Sequence, residues 1–576
     1  MQVKVGDEGG FTMIMTVIGI TLVVLLAAVA VTAVTGSAQV TGRDIARKQA
    51  YEAAIAGINE YAFHLHADSA YWTKCTAAVP STERSALNQM GSTANRRPVP
   101  GTSGAEYALE LIPAEGRSEC VVNENASMVE PLGHAGSNTF RLRSTGYSGK
   151  AQVSVTATFK PESFLDYVYF TQLETSDPVT YGTPELRAAA GRQCTKTIEG
   201  GRYDTPLETT SGQMLTESGA ITTSAEKAEY CDVISFVGAD DIEGPMHTND
   251  AFVFCEHPTL GRDKSDSIEV SAAKEPGWYE TRSLLHTERE RREGCQGNNS
   301  NVKGTYRINQ PTLVPPETNG ELENIAESAF HYEGEVAICL EGTTMKVGRG
   351  KSCTESPVYE GPFPTNGVIY DSNRNRECNS EYSPFNVSYS STEVNSCGNV
   401  NIVEGKFAQP LTIAAANNVL IMHNIEKTSE QGLLGIIATN FIRVYHPVVL
   451  AHPKTCTPEY NSSHHKIGES CVENTNEWEC KGNEGEPLKN LTIEAALLAL
   501  QHSFIVDNYR CGAKLGTLTV RGAIAQKYRG AVGTTGNNGN GYLKHYVYDG
   551  RLETTEPPSF IEPVKSNWVI GRETVE

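Results

Sequence analysis

Four short stretches carry residues whose types and spacing could do chemistry. "GADDIEG" sets Asp240 beside Asp241, the kind of acidic pair a glycosidase uses as acid and base. Neighbours in a strand point to opposite faces, so the pair alone makes no site, and a turn is expected. "DSNRNREC" offers Asp371, Asn373, Asn375 and Glu377 at alternate positions, as a calcium loop does. Arg376 stands where that loop needs Gly, and no Glu follows at its twelfth position. "NSSHHK" places His464 and His465 in a polar loop with Cys456 and Cys471, where paired histidines are expected to be solvated. His247 in "GPMHTND" is expected to be a satisfied structural histidine. The chain has no GxSxG, HExxH or P-loop. Catalytic residues, a cofactor and a metal are all expected to be absent.

The bulk composition narrows the classes further. In 576 residues, Asp and Glu number 69 against 48 Lys and Arg, a net charge of -21. Phosphate binding needs clustered basic groups, so nucleic acid is not the expected partner. An acidic surface keeps an exported protein soluble. The 14 cysteines are even in number and dispersed, with no CxxC pair, which reads as disulfides in an oxidising compartment. Proximity suggests Cys75 with Cys120 and Cys378 with Cys397; the remaining connectivity is open.

The first 67 residues must position everything else. Phe11 to Val34 carries no charge and, at ~1.5 Å per residue, is long enough to cross a hydrocarbon core about 30 Å thick. The leader MQVKVGDEGG has one Lys and two acids, unlike the positive start of a discarded signal. Ile45, Ala50, Ala53, Ala54, Gly57, Ile58, Tyr61 and Leu65 then lie close to one helical stripe. No proline interrupts before Pro80, so 11–67 is expected to form nearly one helix, with a bend at Gly36 or Gly42. An uncleaved membrane anchor would also fit. "GGFTMIM", followed by the apolar run and "RKQAYEAAIAGINEY", resembles the class III signal of type IV pilin-like proteins. The resemblance implies cleavage between Gly10 and Phe11 by a prepilin peptidase and methylation of the new terminus. It implies a single-pass precursor in the cytoplasmic membrane, most of its chain extracytoplasmic, with other pilin-like subunits and the assembly machinery as partners. Met15 stands where major pilins usually carry Glu, a departure that points to a minor or PilX-like assembly component.

Beyond the helix the expectation is an α+β head followed by a mainly-β region. "AEYALELI", "NTFRLRST" and "QVSVTATF" alternate with period two, as half-buried antiparallel strands do. The plan is leader 1–10, helix 11–67, head 68–160, connecting segment 161–235, repeat region 236–530, and flexible loop with C-terminal cap 531–576. In the repeat region, apolar runs follow Asn at "TNDAFVF", "TNGVIY", "ANNVLIM" and "ATNFIRVY". Aligning Asn418 with Asn440 gives 22 residues, the length of one coil of a parallel β-solenoid, with Val419, Ile421, Ile442 and Val444 stacked inside. Parts of this region, "GPMHTND" among them, resemble repeats in large exported PilX-like proteins. An irregular β-sandwich is the alternative fold. The expected role is structural and adhesive or scaffolding; the alternative is a membrane-tethered β-helix enzyme acting on polysaccharide.

Overall fold

The computed structural model describes residues 9–67, 96–112 and 139–575, apart from 196–205, 255–256, 273–278, 281–300, 356, 377, 379–381, 390–393, 453, 461–465, 474–478, 486, 535–538, 554 and 565–567. The chain is mostly β, with few helices, and divides into two compact units, Met1–Pro161 with Asn567–Glu576, and Glu162–Ser566.

The smaller unit is built on one helix, Gly9–Ala67, which runs unbroken through Gly36 and Gly42. At ~1.5 Å per residue it is roughly 88 Å long. Its second half packs on an antiparallel sheet of Arg97–Pro98, Ala105–Ile112, Phe140–Ser148, Ala151–Pro161 and Trp568–Val575, in that order. The stripe Ala50, Ala53, Ala54, Ile58, Tyr61 and Leu65 is buried there, with Tyr61 among Phe140 and Phe159. Each fully buried aliphatic or aromatic side chain in this seam is worth roughly 1.5–3 kcal/mol. Ile45, expected in the stripe, is 53% exposed, because it lies a turn before the first buried residue of the stripe, Ala50. Small residues set the helix–sheet distance. A Cβ on Gly146 would lie 1.9 Å from the Ala50 carbonyl oxygen, and one on Gly57 would meet the Tyr107 ring at 2.6 Å.

The last strand was not expected in this sheet. The proposed cap 531–576 instead splits: Gly541–Tyr548 pairs within the larger unit, and Trp568–Val575 pairs with Ala151–Pro161 in the smaller. The added strand covers an edge of the sheet, which is reason enough for a C-terminal segment to return there.

The larger unit is a stack of parallel strands in three rows. One row runs 331–333, 368–372, 411–415, 434–438, 496–499, 523–526, 169–171, 246–248, 268–270 and 305–307, each paired in parallel with the next. A second runs from 339–342 through 404–407, 425–427, 492–495, 519–522, 545–547, 241–243 and 259–260 to 301–302. The third holds 336–338, 400–402, 419–421, 442–444 and 504–506. Val419 pairs with Ile442 and Ile421 with Val444, all fully buried. The Asn register is therefore 23, one more than the expected 22: Asn440 Nδ2 donates to Asn417 Oδ1 at 2.6 Å, and Asn417 Nδ2 to Asn399 Oδ1 at 2.8 Å. Gly522, at φ 152°, takes the corner between the second and first rows, where a Cβ would meet the Ala495 carbonyl at 2.1 Å.

The strand order reveals a permutation. Along the first row, 523–526 is followed not by the next segment in sequence but by 169–171. The same layer of the second row is supplied by Gly541–Tyr548. One layer of the stack is thus completed by the first and last strands of the unit. From 305–307 the chain must return to the far end of the row, roughly 43 Å at about 4.8 Å per strand, and 308–330 makes that crossing. Asn249 pairs with the Leu313 backbone, Gln501 donates to the Glu317 carbonyl, Asn319 donates to those of Ala415 and Ile437, and Asn366 to that of Ile325. These contacts mark the path layer by layer.

Disulfides Cys194–Cys231, Cys339–Cys353, Cys378–Cys397 and Cys480–Cys511 staple this unit. Cys75 and Cys120 lie outside the described residues.

Candidate functional site

The first half of the long helix presents an apolar surface to its surroundings. Met13, Met15, Val17, Ile18, Ile20, Leu22 to Leu26 and Val29 are all more than half exposed, between 52% and 71%. Threonine hydroxyls on this stretch turn inward to the helix itself: Thr21 donates to the Val17 carbonyl at 2.8 Å and Thr16 to that of Met13 at 2.9 Å. Polar groups are thus satisfied locally while apolar groups face out. Gly10 and Phe11 fall in the first turns of the helix, with side chains outside the described residues. Among the described residues, no helix is long and apolar enough to cross a membrane.

The residues singled out for chemistry are dispersed. Asp240 and Asp241 do point apart. Asp240 is buried and accepts from Lys544 Nζ at 2.7 Å and from the Val237 backbone at 2.9 Å. Asp241 lies half-buried on a strand beside Glu243 and His545. Asp371 is fully buried, and burial pushes its carboxyl well above the usual range. Asn373 instead accepts from the Gly398 backbone at 2.8 Å, Asn375 takes a left-handed φ of 57°, and Glu377 lies outside the described residues, as do His464 and His465.

Two arrangements escaped the sequence reading. Asp177, His502 and Ser503 meet, but Ser503 Oγ donates to Asp177 Oδ2 at 2.9 Å, and His502 Nδ1 approaches the same carboxylate at 3.0 Å. Hydroxyl and imidazole compete for one acceptor, so the imidazole is not placed to take the hydroxyl proton. The second is a groove on the larger unit lined by Lys427, Glu494, Arg521, Asp549 and Arg551. Burial raises the Asp549 carboxyl, but hydrogen bonds from Arg551, at 2.5–3.1 Å, outweigh it and hold it below the usual range. Glu494 accepts from the Lys427 backbone at 2.7 Å. Asp549 is thus stabilised as the anion, whereas a glycosidase acid must be held protonated. No local pattern announces these groupings, since Asp177 lies 325 residues from His502 and the groove gathers residues from 427 to 551.

The permuted layer is held by charge. Arg529 Nη1 donates to Glu174 Oε2 at 2.8 Å, with both groups buried, and the guanidinium lies 3.6 Å from the Phe236 ring centre. With the Lys544–Asp240 pair and the His502–Asp177 hydrogen bond, this ion pair joins 174–240 to 502–544 where no peptide bond does.

No protein-family model matches the chain, and no curated protein matches it. Among solved structures it is similar to the competence-associated pilin ComZ from Thermus thermophilus, at 11% identity and a TM-score of 0.26, over 92% of this chain and 97% of that one. A TM-score of that size does not establish a shared fold.

Proposed function

We propose that the chain is a structural, non-enzymatic pilin-like subunit: a precursor inserted in the cytoplasmic membrane by its first helical half, with the rest extracytoplasmic. The carrying observation is the division of one helix into an exposed apolar half, Met13 to Val29, and a half buried against its own sheet from Ala50 to Leu65. In such a subunit the exposed half passes from lipid into a bundle of like helices, where packing replaces the acyl chains. The junction Gly10–Phe11 is the processing site for a prepilin peptidase, followed by methylation of Phe11. Met15 in place of the usual Glu favours a minor or assembly subunit over the repeating one. The larger unit is read as a β-solenoid, right-handed as such coils commonly are, serving as an adhesive or scaffolding projection; its parallel rows and disulfides support this.

Sequencing the amino terminus of the protein isolated from its own cells tests the reading. Methylated Phe11 is expected, with processing lost in Gly10→Val. An intact Met1 in the filament or membrane fraction overturns it.

A further inference from the structure

We propose that Glu162, His247 and Glu269 form a binding site for one divalent first-row transition ion of the zinc or cobalt class. Among the described residues, one imidazole nitrogen and two carboxylate oxygens here lie within 4.8 Å of one another. His247 is fully buried, and Glu162 and Glu269 are 8% and 7% exposed.

Asn249 orients the His247 ring. Its Nδ2 donates to the Leu313 carbonyl at 2.6 Å, and its Oδ1 accepts from the Leu313 amide at 2.9 Å. This two-point pairing fixes which side-chain atom is oxygen. That oxygen faces His247 Nε2 at 3.2 Å, so Nε2 carries a hydrogen. In the neutral ring Nδ1 then bears a lone pair, and it faces Glu269 Oε2 at 3.3 Å. Two acceptors turned toward each other are reconciled either by a proton on Nδ1 or by a metal ion between them. Two ligand atoms ~2.0–2.1 Å from a tetrahedral ion stand about 3.3 Å apart.

The carboxylates show the same shortage. Tyr167 Oη lies 2.9 Å from both Glu162 Oε1 and Glu269 Oε2, so one hydroxyl proton serves two acids, with the Ser267 side chain a further hydrogen-bond partner of Glu269. Arg307, 56% exposed, reaches Glu269 Oε1 only at 3.6 Å. Two carboxylates buried side by side repel each other, and a doubly charged ion balances both. Imidazole with carboxylates suits zinc and its neighbours. Asn249 is the outer partner that such a histidine ordinarily has. The positions are rigid: His247 and Glu269 are register partners in adjacent parallel strands, and Glu162 precedes the Ser163 capping box.

The test is a Co2+ titration of the full-length, untagged, metal-stripped protein in detergent with its disulfides intact. One equivalent is expected, with visible absorption of low-symmetry cobalt and a rise in Tm. Glu162→Gln keeps a partner for Tyr167 and should weaken binding roughly 100-fold or more, as should His247→Gln; Asn249→Ala should weaken it roughly 10–100-fold. The half-exposed group Asp241, Glu243 and His545 is the internal control. His545→Gln should leave the signal unchanged. No binding up to millimolar Co2+ in the wild type, as a protonated imidazole in place of the ion would give, overturns the proposal. So does a signal that survives both Glu162→Gln and His247→Gln, or one that vanishes in His545→Gln.

Discussion

In the smaller unit, apolar side chains from Met13 to Val29 face outward over the first half of a helix, and only Ala50 onward finds cover within the chain. In the larger unit, both files of the first parallel row are buried: Ile413, Ile436, Leu497 and Ile524 in one, Ala414, Ile437, Leu498 and Ala525 in the other. Even charged groups such as Arg529, Glu174 and Asp507 are enclosed and paired there. One region is incomplete without surroundings that accept apolar surface; the other encloses its apolar files within its own fold. A division of labour follows, in which the first makes contacts and the second holds a shape.

Three substitutions test that contrast, from the largest effect to the smallest. Gly146→Val puts side-chain atoms where the Ala50 backbone lies and should cost more than about 4 kcal/mol in the smaller unit. Proteolysis should then cut within 41–67 while the larger unit keeps its own thermal transition; a single shared transition would break the contrast. Arg529→Met leaves Glu174 buried without its cation and should cost about 3–5 kcal/mol in denaturant unfolding. Adding Glu174→Leu should recover most of it, and a double variant no better than the single would show that the pair is not what closes the layer.

The smallest effect is a pH slope. His446 is held between the Asp507 carbonyl and the Asn483 side chain, and burial lowers its pKa below the ordinary imidazole range. The unfolded chain therefore takes up this proton first as pH falls. Stability from this group is complete above about pH 6.5 and declines below it, by at most about 1.4 kcal/mol per pH unit, until the folded pKa is reached. The wild type minus His446→Gln difference in unfolding free energy should show that slope between pH 6.5 and 5. A flat difference would remove His446 from the account.

The two regions also differed in how far they could be read from sequence. The helix and its stripe were plain, because helical spacing is local; Ile45 was misplaced because periodicity does not say where cover begins. The three antiparallel strands were visible as alternation. In the larger unit, Val419, Ile421, Ile442 and Val444 announced a stack, but the register slipped by one, since adjacent asparagines at 417 and 418 are equally good anchors by spacing. The pairing of 523–526 with 169–171 had no local signal at all, nor did the return of Trp568–Val575 to the head. The neighbours of His247, Glu162 and Glu269, lie 85 and 22 residues away and leave no local signal.

The layer shared by 169–171 and Gly541–Tyr548 has a consequence for the order of folding. A chain made from its amino terminus delivers 169–171 well before 523–526 and 541–548. The strands 246–248, 268–270 and 305–307 can close on one side of the early strand, but its other neighbour does not exist until 523–526 has emerged. The stack is therefore finished by a late click rather than by steady winding. Until then a strand edge stays open, a period in which a chaperone or a neighbouring subunit has something to hold.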